Sequence, residues 1–174
     1  MARCFTSFCS YVKIRRSEQD ISLRGKRKVI VLMDKYVHKV NYYETDKMGI
    51  THHSNYIRWM EEARVDFLEQ IGWGYEKLEK EGIVSPVIHL ECDYKLSTTF
   101  PDVVSIEVAV EEFRGVKLRL RYRMCNAEGK TVFEAKSEHC FLDKEGRLVR
   151  LRNKHPEFCE VLMKLAEEQT GEEQ

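Results

Sequence analysis

The sequence has little of several features that mark large protein classes. Its 174 residues include only three prolines and nine glycines, and its six cysteines form no C-x-x-C pair. Collagen-like chains and disulfide scaffolds need those residues in quantity, and structural zinc sites need paired ligands. We therefore exclude the first two classes and predict no metal site. Scattered thiols in a chain of this length are typical of reduced cysteines, so we expect a cytoplasmic protein.

Long apolar runs and an excess of one charge are also missing. No run reaches the ~18 residues of a membrane-spanning helix, so we predict no stable membrane insertion. The 29 basic and 29 acidic residues give zero net charge, which argues against a dedicated nucleic-acid binder. The sequence contains no glycine-rich phosphate loop of the P-loop or dinucleotide type. It also lacks a G-x-S-x-G motif, which excludes an α/β-hydrolase esterase.

The balanced charge is unevenly distributed along the chain. Residues 1–32 carry eight basic and two acidic residues, so this arm has a charge of +6 and residues 33–174 have a charge of −6. We interpret 1–32 as a basic extension and 33–174 as one domain. Two explanations of the extension stay open: a natural, mostly disordered arm, or a coding region assigned too far upstream of a natural start at Met33.

Residue periodicity predicts the elements of the domain. Alternation over 36–43 predicts a strand, and apolar residues spaced by three and four over 54–71 predict an amphipathic helix of about five turns. Ser54 or Asn55 can cap its start, and Gly72 can end it. A short helix is expected at 75–81 and a final one at 157–168.

The second half of the domain has the period of strands. Four consecutive strands are expected over 86–97, 103–114, 116–126 and 131–142, with Asn/Asp…Gly loops between the later ones. One helix cannot cover both faces of a five-stranded sheet, so either the sheet curls around the helix or another subunit covers it. The pattern predicts an α+β domain with an antiparallel sheet.

Residues 40–64 hold the candidate chemistry. Asp46 lies in the loop between the first strand and the long helix, and His53 lies where that helix begins. A helix N-terminus favours developing negative charge, and a nearby carboxylate can attack a carbonyl or activate water to do so. Gly49 lets the loop turn tightly. This layout suits hydrolysis of an activated ester, although an isolated loop Asp is more often a turn or cap residue.

The same stretch resembles the hotdog-fold acyl-CoA thioesterases, in particular the 4-hydroxybenzoyl-CoA thioesterase-like family and its bacterial Tol–Pal-associated branch. The family pattern reads Tyr-x-Glu-Thr-Asp-x-Met-Gly, then His-x-x-Tyr, then Glu-x-Ala-Arg. It is met here by Tyr42, Glu44, Thr45, Asp46, Met48, Gly49, His53, Tyr56, Glu61, Ala63 and Arg64. The resemblance covers about residues 35–155 and implies a long central helix wrapped by a five-stranded antiparallel sheet.

The resemblance implies roles for individual residues. Asp46 is the expected catalytic carboxylate, as nucleophile or general base, and the backbone N–H of His53 the expected polariser of the thioester carbonyl. The His53 side chain is a second catalytic candidate that could orient substrate or water, or hold the loop. The expected substrate-binding residues are Tyr42, Gly49, Tyr56 and Glu61. On the pattern alone, the two tyrosines face the core as packing residues, and Glu61 forms a surface ion pair with Arg64.

The resemblance also implies a reaction and an assembly. Water and acyl-CoA give a free acid and coenzyme A, without a metal or an organic cofactor. Two alternatives stay open: a thioesterase acting on acyl carrier protein, and a non-catalytic acyl-binding or scaffold protein of the same fold. A homodimer or homotetramer is expected, in which sheets join edge to edge and Asp46 of one subunit meets the helix start of its neighbour.

Overall fold

The computed structural model describes residues 33–170; the extension predicted at 1–32 lies outside the described residues. The elements in chain order are β1 (Tyr36–Lys39), a 3₁₀ turn (Tyr42–Glu44), α1 (His53–Gln70), α2 (Tyr75–Lys80), β2 (Val87–Tyr94), β3 (Val103–Phe113), β4 (Lys117–Cys125), β5 (Thr131–Cys140), α3 (Leu151–Lys154) and α4 (Pro156–Thr170). The predicted helices and the four later strands are all present, with ends shifted by up to three residues. The four-residue α3 was not predicted.

The five strands form one antiparallel sheet in the order β1-β3-β4-β5-β2. One face of α1 packs into this sheet, and its buried apolar residues recur at helical spacing: Tyr56, Trp59, Met60, Ala63, Phe67 and Leu68. Sheet residues such as Ile106, Leu120 and Phe133 supply the other side of the core. The predicted α+β hotdog fold, a long helix wrapped by a five-stranded antiparallel sheet, is confirmed.

The first strand is shorter than predicted, for a local reason. β1 ends at Lys39, and the backbone N–H of Glu44 donates to the Asn41 carbonyl at 3.1 Å to close a 3₁₀ turn. That turn draws the Glu44 side chain into the interior and sends Tyr42 outward. Tyr42 is 78% exposed, so the expectation that it faces the core is wrong. Tyr56, in contrast, is 3% exposed and faces the core as expected.

The start of α1 is capped by a residue other than the two predicted. His52 is the N-cap, and its Nδ1 accepts a hydrogen bond from the Ser54 backbone N–H at 3.4 Å. Asn55, one of the predicted caps, is instead the third residue of the helix and is buried. The predicted end is close to the observed one, because the chain leaves the helix at Ile71 and Gly72 takes a φ of 76°.

Strand β2 forms one edge of the sheet and pairs only with β5 among the described strands. Most of its residues are exposed, including the apolar side chains of Val87, Ile88 and Tyr94. An edge strand offers unpaired backbone N–H and C=O groups to another strand. β2 is therefore one of the two edges, with β1, at which another strand can extend the sheet.

Within residues 33–170, no group of three or more His, Cys, Asp or Glu side chains is arranged to hold a metal ion. In the same part of the chain, no helix has the length and apolarity needed to cross a membrane.

Candidate active site

Asp46 lies in a tight loop closed by an antiparallel bridge between Thr45 and Thr51. The backbone N–H of Met48 donates to Oδ1 of Asp46 at 2.8 Å, and Gly49 turns the chain with a φ of 76°. One oxygen of the half-buried carboxylate thus holds the turn. The other oxygen, Oδ2, has no hydrogen-bond partner within the described range 33–170 and is available to a reactant.

His53 is the first residue of α1, and its backbone N–H has no acceptor among the residues that the structure describes. The first turn of α1 contains no acidic residue, so the partial positive charge at this helix end is not compensated there. The exposed imidazole of His53 contacts the ring of His52, with the ring centroids 4.2 Å apart and the planes tilted by 36°. The backbone carbonyl of His53 accepts a hydrogen bond from the Tyr94 hydroxyl at 3.1 Å. The helix start is thus open toward an incoming oxygen atom.

The loop and the helix start are joined within one chain. The Glu44 carbonyl accepts hydrogen bonds from the backbone N–H of His52 at 2.8 Å and from Nδ2 of Asn55 at 2.7 Å. Glu44 lies two residues before Asp46, and the two donors flank His53. The Glu44 carbonyl therefore links the segment that leads into the Asp46 loop to the first turn of α1 in the same chain. The expectation that Asp46 meets the helix start of a neighbouring subunit stays open as the alternative.

A buried carboxylate, which sequence reasoning noted only as part of the motif, organises this region. The Glu44 carboxylate receives hydrogen bonds from the Asn41 N–H at 2.6 Å, Asn41 Nδ2 at 3.3 Å, His38 Nε2 at 3.0 Å and Trp59 Nε1 at 2.8 Å. Burial alone would raise the pKa of Glu44, but the hydrogen bonds from Asn41, His38 and Trp59 outweigh it and leave the pKa below its ordinary value. Glu44 is thus held as an ionised anchor.

His38 continues this buried network toward α1. Its Nε2 faces Glu44, its Nδ1 lies 3.2 Å from Oε2 of Glu62, and its ring packs 4.5 Å from that of Trp59. An ionised carboxylate only accepts hydrogen bonds, so a ring nitrogen that faces one must carry a proton to donate. Burial and a 2.9 Å hydrogen bond to Glu62 raise the pKa of Tyr36 to about 12. The alternation over 36–43, which puts Tyr36 and His38 on the same side of the strand, and Glu44 in the motif were the sequence signals for this network.

Glu44→Gln is expected to lower the free energy of unfolding by about 1–3 kcal/mol, because charged hydrogen bonds from three residues are weakened. The lowered pKa also sets the pH dependence. Stabilisation by ionised Glu44 is complete above its ordinary value and is lost as the pH falls through the lower folded-state value. Chemical denaturation at several acidic pH values measures both effects.

Glu128, an exposed glutamate that forms a surface ion pair with Lys130, offers a matched control for Glu44→Gln. Glu128→Gln also neutralises one glutamate, but it breaks only that surface contact. The anchoring role of Glu44 is wrong if the two Gln variants are equally stable and show the same decline in acid.

The other predicted substrate-binding residues lie in different environments. The exposed Tyr42 ring contacts Phe100 edge-on at 5.8 Å. The Tyr56 hydroxyl is buried, 2.9 Å from Oγ1 of Thr98, which fits the packing interpretation. Glu61 is 70% exposed at its side chain and lies 4.0 Å from Arg64, the ion pair expected from the sequence, although Arg64 itself is buried. Contact of these residues with substrate stays a prediction.

The family model described as thioesterase-like superfamily matches residues 40–165, which include the Asp46 loop, α1 and the strands β2 to β5. The chain belongs to the thioesterase-like superfamily. This membership confirms the predicted family and agrees with the observed fold. The finer assignment to the Tol–Pal-associated branch stays a prediction.

Three relatives show how similar this thioesterase-family chain is to named proteins and solved structures. YneP of Bacillus subtilis, provisionally named an acyl-CoA thioesterase, is 32% identical over 121 residues, or 69% of this chain and 88% of YneP. The acyl-CoA thioester hydrolase YbgC of Escherichia coli O157:H7 is 27% identical over 97 residues, 56% of this chain and 72% of YbgC. The solved DHNA-CoA thioesterase of Staphylococcus aureus superposes with a TM-score of 0.76 at 29% identity, covering 79% of this chain and 93% of that one.

Proposed function

We propose that the chain hydrolyses acyl-CoA thioesters to a free carboxylic acid and coenzyme A. One observation carries the proposal: a single chain segment holds Asp46, whose Oδ2 has no hydrogen-bond partner among the described residues, and, seven residues later, the open helix N-terminus at His53. Membership of the thioesterase-like superfamily and the acyl-CoA activity in the names of its relatives support it.

The two groups have complementary parts in the reaction. The thioester oxygen lies at the His53 N–H and the positive end of α1, which stabilise the negative charge that develops on it. As a general base, Asp46 takes a proton from water while the water oxygen bonds to the carbonyl carbon. The carbonyl then re-forms, the C–S bond breaks, and coenzyme A leaves as a thiolate that takes up a proton.

Asp46 can also act as the nucleophile. Its carboxylate oxygen then bonds to the carbonyl carbon, coenzyme A leaves, and a mixed anhydride forms that water hydrolyses to the acid and free Asp46. Both routes need an ionised Asp46 and an oxyanion at the same helix end. Both routes therefore require the same arrangement of the Asp46 loop and the start of α1.

A substrate panel tests the function directly. Short, long and aromatic acyl-CoA thioesters, and the same acyl groups on acyl carrier protein, are compared by kcat/KM. Loss of the thioester is followed directly, because the exposed Cys92 would react with thiol reagents. We expect turnover with at least one acyl-CoA and a lower kcat/KM for its carrier-protein counterpart. Turnover of carrier-linked acyl groups alone, or binding without turnover, contradicts the proposal.

We also propose that two subunits pair along β2. Its backbone edge is free of a further strand within the described residues, and exposed Val87, Ile88 and Tyr94 offer apolar contact. Tyr94 also donates to the His53 carbonyl, so this edge reaches the helix start. Elution as a dimer or tetramer at micromolar concentration is expected, and a fully active monomer contradicts the pairing.

A further inference from the structure

Asn55 has an unusual position for a polar side chain in this domain. It is the third residue of α1 and only 7% exposed. Its backbone N–H donates to the His52 carbonyl at 2.9 Å, and its side-chain Nδ2 donates to the Glu44 carbonyl at 2.7 Å. The side chain thus crosses from the helix to the segment that leads into the Asp46 loop.

The acceptor of this hydrogen bond is itself held firmly. The Glu44 carboxylate is fixed by Asn41, His38 and Trp59, so its backbone cannot shift freely. The same Glu44 carbonyl accepts from the His52 N–H at 2.8 Å. The donors from residues 52 and 55 lie on either side of His53 in the sequence, and together they tie the first turn of α1 to one fixed oxygen atom.

We propose that Asn55 is a positioning residue for thioester hydrolysis. By tying the first turn of α1 to the Glu44 carbonyl, its amide sets the geometry between the Asp46 carboxylate and the His53 N–H. This inference rests on the proposed function, because it assumes that these two groups act on one substrate carbonyl. Displacement of a reacting group by about 1 Å can cost on the order of 100-fold in rate, so a loosened helix start should lower kcat.

A purely structural role makes a different prediction. Removing the Asn55 amide leaves the Glu44 carbonyl bonded to the His52 N–H, so no buried carbonyl loses all its partners. The fold should therefore survive in Asn55→Ala. If the amide only stabilised the helix, unfolding would change while kcat stayed the same.

A double-mutant cycle separates the two roles. Asn55→Ala is made in the natural chain and in Asp46→Asn, and kcat, KM and the melting temperature are measured with the best acyl-CoA. We expect Asn55→Ala to lower kcat about 10-fold in the natural chain, with little change in KM. In Asp46→Asn the same change should cost less than about 2-fold, because the group being positioned is already lost.

Asn55→Leu and Asn153→Ala complete the design. The first keeps the approximate size of the side chain and removes its donating amide without adding a charge, so it is expected to lower kcat at least as much, and it replaces Asn55→Ala if that variant does not fold. Asn153 is an exposed asparagine on α3, and its replacement should leave kcat unchanged.

The inference is overturned by an unchanged kcat, by an effect on KM alone, or by the same fold-loss in both backgrounds. If one of these results is found while Asp46→Asn itself is impaired, only the role of Asn55 is overturned and the proposed function is unaffected. An Asp46→Asn enzyme with full activity overturns the proposed role of Asp46 and this inference together.

Discussion

Asp46→Asn is expected to lower kcat for the best acyl-CoA by at least ~100-fold while the chain folds normally. Asparagine has the shape of aspartate, and its Oδ1 can still accept the hydrogen bond from the Met48 N–H that holds the turn. The neutral amide, however, neither removes a proton from water nor attacks a carbonyl carbon. Steady-state kinetics and thermal unfolding of the same preparation measure both parts of the prediction.

The control for this substitution is Asp34→Asn, which neutralises an exposed carboxylate ahead of β1. It should leave kcat within error of the natural chain. If Asp46→Asn folds with an unchanged melting temperature and keeps near-full activity, Asp46 is neither the base nor the nucleophile.

His53→Pro is expected to lower kcat by roughly 100- to 1000-fold, the cost of losing one donor to a developing oxyanion. Proline removes the backbone N–H and is well tolerated at the first position of a helix. The residue before it, His52, already has the extended conformation that a following proline requires, with φ −63° and ψ 132°. The His53 carbonyl, which accepts from Tyr94, is unchanged by the substitution.

His53→Ala isolates the contribution of the imidazole. Alanine keeps the backbone N–H and removes only an exposed ring that contacts the ring of His52. The loss in His53→Pro should exceed that in His53→Ala, and the ratio of the two kcat values measures the part due to the N–H. Equal losses would assign the effect to the side chain and contradict polarisation by the helix start.

Mixing the two inactive variants tests whether the site is complete within one chain. Because Glu44 ties the Asp46 loop to the start of α1 in the same chain, we expect no activity to return when Asp46→Asn and His53→Pro are unfolded together and refolded. Each chain in a mixed dimer would still lack one of the two groups. Recovery of activity would instead show that the two groups meet across subunits, as the family resemblance first suggested.

Much of the architecture could be predicted from the sequence because the relevant interactions are local. The three- and four-residue spacing of Tyr56, Met60, Ala63 and Phe67 is a property of one helix, and it placed α1 within one residue of its observed ends. The alternating strands and their Asn/Asp…Gly loops likewise depend on neighbouring residues. The motif between β1 and α1 named Asp46 and His53 as the candidate site without any knowledge of the surrounding core.

What the sequence by itself determined is thus most of the helices and strands, the family and the identity of two candidate catalytic positions. The tertiary structure alone decided how those positions are held. The 3₁₀ turn that ends β1 early buries the Glu44 side chain and turns Tyr42 to solvent. The Glu44 carboxylate then bonds to His38 and Trp59, which lie 6 and 15 positions away in the sequence. The Glu44 carbonyl also accepts a hydrogen bond from the Asn55 side chain, which therefore does not serve as the helix cap that an asparagine at this point predicts. Such contacts form only once β1 and α1 pack together, between residues that are distant in the sequence. The periodicity of the sequence does not predict which of these residues come into contact.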